Sequence, residues 1–318
     1  MQLTIDGHGI QANPGQSLRE LIGLLGMEGT GLKNRPLAAK LAGEVFTLNY
    51  IPQREKDMTP DRPSIRRAMA ASGGEVRLLY YSDPVGKECY IRTAQFVMFL
   101  ALKQLWPEAK GKVSCTLGSS VYIQVQNSPG FSVTKLKERV NQIVAQDIPL
   151  IRRRVPLETA VERYRQEGQL DKARLLSWRS VDFFDEYAYG DFADYYYGEM
   201  LPSTGYLTVW DILPGDGGFV FVYPDDQNPE ICAKVPSMPN FFSVFSALFK
   251  PDSFWTLDKP EILWPNSANL AAFILFSAGF RLFRASASFF RPLVATVILP
   301  FSFSLPRAVA NASILASA

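Results

Sequence analysis

Pro202-Ser203-Thr204-Gly205 puts two hydroxyls and a glycine in one short turn. Such a turn can grip a polar ligand, or its hydroxyls can bond its own backbone with the glycine in a left-handed position. Just upstream, Tyr187, Tyr189, Tyr195, Tyr196 and Tyr197 supply aromatic faces on which nucleobases could stack. At alternating strand positions, half of them would instead be core. Arg152-Arg153-Arg154 could meet phosphates or form a solvated strand face. Phosphoryl transfer by a Walker A loop is not encoded. Gly86-Lys87-Glu88 and Gly111-Lys112-Val113 lack the leading glycine and the magnesium-binding hydroxyl. His8 is the only histidine, and Cys89, Cys115 and Cys232 show no CxxC spacing. Reduced, buried thiols in a cytoplasmic protein are the expectation.

Local signals define the elements that must position these residues. Residues 2–5 and 9–12 predict a hairpin around Asp6-Gly7. Ser17-Leu18-Arg19-Glu20 is a capping box that starts a helix reaching about Gly26. Strands are expected at 37–41, 44–48 and 76–81, with an apolar helix over 92–105. Two strands over 112–126 should turn at Gly118-Ser119-Ser120. An amphipathic helix over 134–146 should bury Leu136, Val140, Ile143 and Val144. A strand at 150–155 leads to Pro156 at the start of the next helix. The sum is an α+β chain.

Apolar residues make up 47% and charged residues 20% of 318, ordinary values for a folded chain with room for two or three domains. The net charge of +2 implies no strong polyelectrolyte partner, but the charge is unevenly spread. Beyond Glu261 there are only four arginines, so residues 1–261 hold 29 basic against 31 acidic side chains, a net of −2. Met1 to Gly9 has no basic stretch leading into an apolar run, so no signal peptide is expected there. Residues 262–280 are uncharged and about long enough to span a bilayer, yet Trp264-Pro265-Asn266-Ser267 breaks the apolar run. A membrane partner is therefore not expected. The abrupt change of composition points to a divergent tail at 251–318, out of frame or disordered.

Asp194-Tyr195-Tyr196-Tyr197-Gly198-Glu199-Met200-Leu201-Pro202-Ser203-Thr204-Gly205 resembles the Asp-x-Cys-x-Gly-Pro-His-x-Pro-x-Thr-Gly stretch of the threonyl-tRNA synthetase editing domain. The resemblance implies that Tyr196 and Met200 stand where Cys and His bind metal. It also implies that Arg92 and Phe96, in Arg92-Thr93-Ala94-Gln95-Phe96, replace the two histidines of that domain's opening helix. Zinc needs thiolate, imidazole or carboxylate donors, so no metal and no cofactor are expected. An arginine in such a pocket favours an anion. The N-terminal order, through Ala38-Ala39-Lys40-Leu41-Ala42-Gly43-Glu44-Val45, resembles a TGS domain, a β-grasp fold.

With 148–156, 168–176 and 196–207, the region to about residue 250 resembles the front half of bacterial uridine kinase-like nucleoside kinases. The resemblance implies a TGS-like domain at 1–52, a linker at 53–75 and a second α+β domain at 76–250. A phosphotransferase domain is expected in full-length relatives and is missing here. The chain by itself is expected to be inactive, with no catalytic residue. It should bind a nucleotide or an RNA end through Arg92, Gln95, Tyr196, Ser203, Thr204 and Gly205. The alternative is a threonyl-tRNA synthetase-like editing or tRNA-binding protein acting in trans.

Overall fold

Asp6 and Gly7 both adopt left-handed backbone, with φ of 43° and 84°. A two-residue hairpin turn of this twist joins β1 (Gln2–Ile5) to β2 (His8–Gln11). The computed structural model describes residues 1–52, 74–180 and 182–235, and all of them belong to the compact unit Met1–Pro251. After the hairpin, Ser17 accepts from the Glu20 amide at 3.3 Å while Glu20 accepts from the Ser17 amide at 2.7 Å. This reciprocal cap opens α1 (Leu18–Leu24). Helix α2 (Gly31–Asn34) and the hairpin β3 (Ala38–Leu41) and β4 (Glu44–Thr47) follow.

The strand expected to open the second domain is instead central to the first sheet. Strand β5 (Glu75–Leu79) pairs in parallel with β1 and antiparallel with β3, giving the order β2-β1-β5-β3-β4. Val76, Leu78 and Leu79 are buried there. A boundary between residue 52 and residue 76 would therefore cut through one sheet. Of the expected linker, 53–73 lies outside the described residues, as does the expected tail at 251–318.

Helix α3 (Pro84–Leu105) begins eight residues before the expected start. Asp83 accepts from the Tyr80 amide at 2.9 Å and from Arg77 at 3.0 Å, and Pro84 supplies a fixed φ at the first helical position. A Cβ on Gly86 would lie 2.1 Å from the Tyr80 carbonyl oxygen, so only glycine lets the turn approach so closely. Buried residues fall on nearly every face of α3, from Cys89 and Tyr90 to Ala101 and Leu102, as befits a central helix. No described helix is long and apolar enough to cross a membrane.

Strands β6 (Lys110–Thr116) and β7 (Ser120–Gln126) form the expected hairpin. Helix α4 (Val133–Ala145) is capped by Ser132 and buries Leu136, Val140 and Ile143. Strand β8 (Arg152–Pro156) leads through α5 (Leu157–Gln166) and α6 (Leu170–Ser177) to β9 (Phe183–Tyr189) and β10 (Phe192–Asp194). These make a three-stranded antiparallel sheet ordered β10-β9-β8. A 3-10 turn (Thr204–Tyr206) precedes β11 (Asp211–Gly215) and β12 (Gly218–Val222), which complete a four-stranded sheet ordered β11-β12-β7-β6.

One buried core joins Leu3, Ile5 and Leu21 of the first sheet region to Phe96 and Val97 of α3 and to Ile123, Phe219 and Phe221 of the second sheet. A smaller core of Ala160, Val161, Tyr164, Ala173, Leu176 and Phe184 lies between α5, α6 and the three-stranded sheet. The fold is α+β, as the sequence implied.

Candidate functional site

The segment after β10 returns to α3, and Arg92 meets it there. Arg92 Nη1 donates to the Glu199 carbonyl at 2.7 Å, and Nη2 donates to Glu88 Oε2 at 2.6 Å, one turn back on the same helix. Gly198 crosses directly over the guanidinium. A Cβ at 198 would lie 2.9 Å from Arg92 Cζ, and its φ of 107° is a region that side chains disfavour. The next residue on the helix, Thr93, accepts from the Leu201 amide through Oγ1 at 2.9 Å. Helix α3 thus holds residues 198–201 through a cation and a hydroxyl.

Glu199 sends its carboxylate the other way, onto Arg152 at 3.0 Å and the Tyr187 hydroxyl at 3.2 Å. The Tyr187 hydroxyl in turn accepts from the Met200 amide at 3.2 Å. Burial, and then the neighbouring Glu199 charge, push the Tyr187 phenol above its ordinary value, so it stays a donor. Burial raises the Cys89 thiol to about 11, against the opposing pull of Arg92. Cys89 is a protonated core thiol.

The four positions that the resemblance associates with metal do not fit one. Arg92 is a permanent cation. Phe96 has no lone pair and packs 5.3 Å from the Phe192 ring and 6.3 Å from Tyr196. Met200 is fully buried. The Tyr196 phenol is held well above its ordinary value by burial. Among the described residues, no group of three His, Cys, Asp or Glu side chains could hold an ion. Gln95 does not join the Arg92 contacts and instead donates to the Tyr223 hydroxyl at 3.0 Å.

The hydroxyls of the 202–205 turn, expected to face a ligand, are used inside the fold. Ser203 and Thr204 are 1% and 0% exposed. Thr204 Oγ1 donates to the Ile143 carbonyl at 2.8 Å and accepts from the Ile148 amide at 2.9 Å. The Ser203 hydroxyl donates to Asp147, which also accepts from the Gly205 amide at 3.1 Å. A Cβ on Gly205 would strike that carboxylate at 2.3 Å. The turn also reaches the first sheet region. Asn49 Nδ2 donates to the Pro202 carbonyl at 2.7 Å, and the Tyr206 ring lies 5.3 Å from the Arg19 guanidinium and 5.1 Å from that of Arg35. This turn is a fastening.

The arginine run is neither a phosphate clamp nor a free solvated face, because each member has a carboxylate. Arg152 pairs with Glu199, Arg153 with Glu186 at 2.7 Å, and Arg154 with Asp185 through two bonds of 2.8 and 3.2 Å. Glu186 is fully buried and also pairs with Arg163. The tyrosines divide. Tyr187 is core, whereas Tyr189 is exposed, Tyr195 and Tyr196 are half-buried and Tyr197 is 69% exposed. Tyr195, Tyr196, Tyr197 and Gly198 line a recess of about 110 Å³ with Arg179, Phe183, Phe184 and Asp185. Of the six expected binding residues, only Tyr196 faces it. Glu88 and Glu199, which hold Arg92 and Arg152, lie outside those six. The i,i+4 spacing of Glu88 and Arg92 was a readable signal, whereas nothing in the sequence pairs Glu199 with Arg152.

No protein-family model matches the chain. Curated relatives do. The threonine–tRNA ligase of Desulforamulus reducens is 27% identical over 193 residues, covering 59% of this chain and 28% of that protein. That of Symbiobacterium thermophilum is 28% identical over 195 residues, covering 60% and 27%. That of Acetivibrio thermocellus is 25% identical over 221 residues, covering 67% and 31%. The chain spans less than a third of the length of these relatives. Their likeness lends nothing to the expected nucleoside kinase parent and favours the alternative. Over about 60% of its length, this chain is similar to threonine–tRNA ligases.

Proposed function

We propose that this chain is a synthetase-like module that binds a tRNA end, or a nucleotide of the same chemistry, and does not hydrolyse it. The observation that carries the reading is the guanidinium of Arg92, seated between Glu88 and the Glu199 carbonyl in a chain whose sequence is similar to threonine–tRNA ligases over 59% of its length. A fixed cation and a buried thioether offer neither a general base nor an activated water. The same arrangement holds the 195–201 segment in one shape, which a binding surface needs.

Residues 1–261 carry a net of −2, so adhesion to a polyanion at large should be weak. Binding should depend on a local contact, with a shallow salt dependence. The test is fluorescence anisotropy of 5′-labelled tRNA titrated with the full chain, beside a deacylation assay on mischarged tRNA. Saturable binding without deacylation above background supports the reading. Rapid deacylation, or no saturable binding, contradicts it.

A further inference from the structure

We infer that the recess beside residues 195–198 is a stacking site for one nucleobase, with Arg179 at its rim for the attached phosphate. This rests on the proposed binding role and names the surface that performs it.

The walls are aromatic and stand at a fixed angle. Tyr195 and Tyr197 lie 5.5 Å apart with their rings at 88°, forming a right-angled corner. Tyr195 is braced behind by Phe184, at 5.2 Å and 60°. Phe183 is pinned by the Arg154 guanidinium, 3.7 Å from its ring centre. Tyr197 is 69% exposed, so its ring is open to a ligand, with an apolar face and a polar hydroxyl. A planar ring entering the corner would lie flat on one tyrosine and meet the other edge-on, both favoured aromatic geometries.

Size sets the class of ligand. About 110 Å³ is well below the volume of sites that enclose whole drug-sized molecules. A recess of this size suits one ring system better than a whole nucleotide, so the sugar and phosphate of such a ligand would lie outside it.

Charge gives the second half of the ligand. The carboxylates borne by the strands of the three-stranded sheet already have cations, Asp185 with Arg154, Glu186 with Arg153 and Arg163, and Asp194 with Lys172, and the nearby Glu199 has Arg152. Among the described residues, Arg179 is left without a carboxylate while it lines the recess. Its guanidinium lies 5.8 Å from the Phe184 ring, so it is placed beside the aromatic wall. A ring carrying a phosphate satisfies both features.

The loop's own support explains why the corner persists. Tyr196 packs on Phe96, and Gly198 rests on Arg92, so α3 carries the segment that presents Tyr195 and Tyr197. The positions that the resemblance links to metal here brace an aromatic wall.

The shared chemistry could come from a free mononucleotide or from an RNA terminus. The test titrates the full chain with AMP, UMP, inorganic phosphate and 5′-labelled tRNA, comparing the native protein with Tyr197→Ala, Tyr197→Phe and Arg179→Ala. Residues 197 and 179 are both exposed, so the variants should fold, and circular dichroism checks this. The inference expects Tyr197→Ala to weaken nucleotide or tRNA binding by about fivefold or more, the scale of one lost stacking contact. Tyr197→Phe should keep most of the affinity, and Arg179→Ala should weaken binding of phosphorylated ligands. Preference for tRNA over AMP and UMP identifies the RNA terminus as the source, and the reverse identifies the free nucleotide. Phosphate competing as well as AMP, or tRNA binding equally to all variants, overturns the stacking site and leaves the proposed function standing. Mononucleotide binding that obeys the variants while tRNA fails to bind keeps the site and removes the tRNA reading. No binding of any probe overturns both.

Discussion

Arg92 Nη1 donates to the Glu199 carbonyl at 2.7 Å and so links α3 to a segment more than a hundred residues later. A shared metal ion can join two segments in the same way, by contacting both. A guanidinium does it without an ion, because its planar fork serves two acceptors at once. Here the second acceptor is Glu88.

Arg92→Ala should therefore destabilise the fold. Hydrogen bonds to charged groups contribute roughly 1.5–3 kcal/mol each way, and the Glu199 carbonyl would lose its partner. We expect a loss of about 2 kcal/mol and a melting temperature lower by several degrees. Added zinc should not restore it. Unchanged melting would show that the bridge holds nothing.

The fully buried carboxylate of Glu186, shared by Arg153 and Arg163, is a second sensitive point. Breaking a buried pair typically costs about 3–5 kcal/mol. Arg153 is half-exposed, so the lower end applies to Glu186→Gln. Urea unfolding should show a loss of about 3 kcal/mol with the slope unchanged. A loss below about 0.5 kcal/mol would mean that water replaces the carboxylate easily.

Thr204→Val separates fastening from binding. It keeps the shape of the side chain but strands the Ile148 amide and the Ile143 carbonyl, at a cost of about 1–3 kcal/mol. Affinity of the folded protein for nucleotide or tRNA should not change. A stable variant with lost affinity would return Thr204 to the binding surface.

Alkaline pH should unfold the protein through its tyrosines. Burial raises the phenols of Tyr90, Tyr187 and Tyr223 above the ordinary value of 10. The folded state keeps these protons while the unfolded chain releases them near pH 10. Their contribution is thus fully present below pH 10 and is lost as pH rises beyond it. The urea midpoint should hold from pH 8 to pH 9.5 and fall by pH 11. Ultraviolet titration should show a group of tyrosines that ionise only on unfolding. Full ionisation near pH 10 in the native state would contradict this burial.

What was legible in the sequence was local. The Asp6-Gly7 turn, the Ser17 and Glu20 cap and the spacing of Leu136, Val140 and Ile143 each depend on neighbours within a turn or two, and all three formed. Strand β5 was found as a strand but not as the centre of the first sheet, because its partners β1 and β3 are set by long-range pairing. The arginine run read as exposed because Glu186 and Asp185 arrive from β9, about thirty residues later. The Ser203 and Thr204 hydroxyls read as ligand groups because Asp147, Ile143 and Ile148, their actual partners, lie some sixty residues away. Likewise Arg179 and Phe183 carry no motif, and only folding sets them beside Tyr195 and Tyr197.

The most direct measurement compares two forms of one tRNA, intact and trimmed of its 3′-terminal nucleotide, each titrated with the full chain in the presence of a chelator. The account predicts saturable binding of the intact form in chelator, and binding of the trimmed form that is about fivefold weaker or more, the scale of one stacked base. Equal affinity for both forms, or binding that appears only when zinc is supplied, would contradict it.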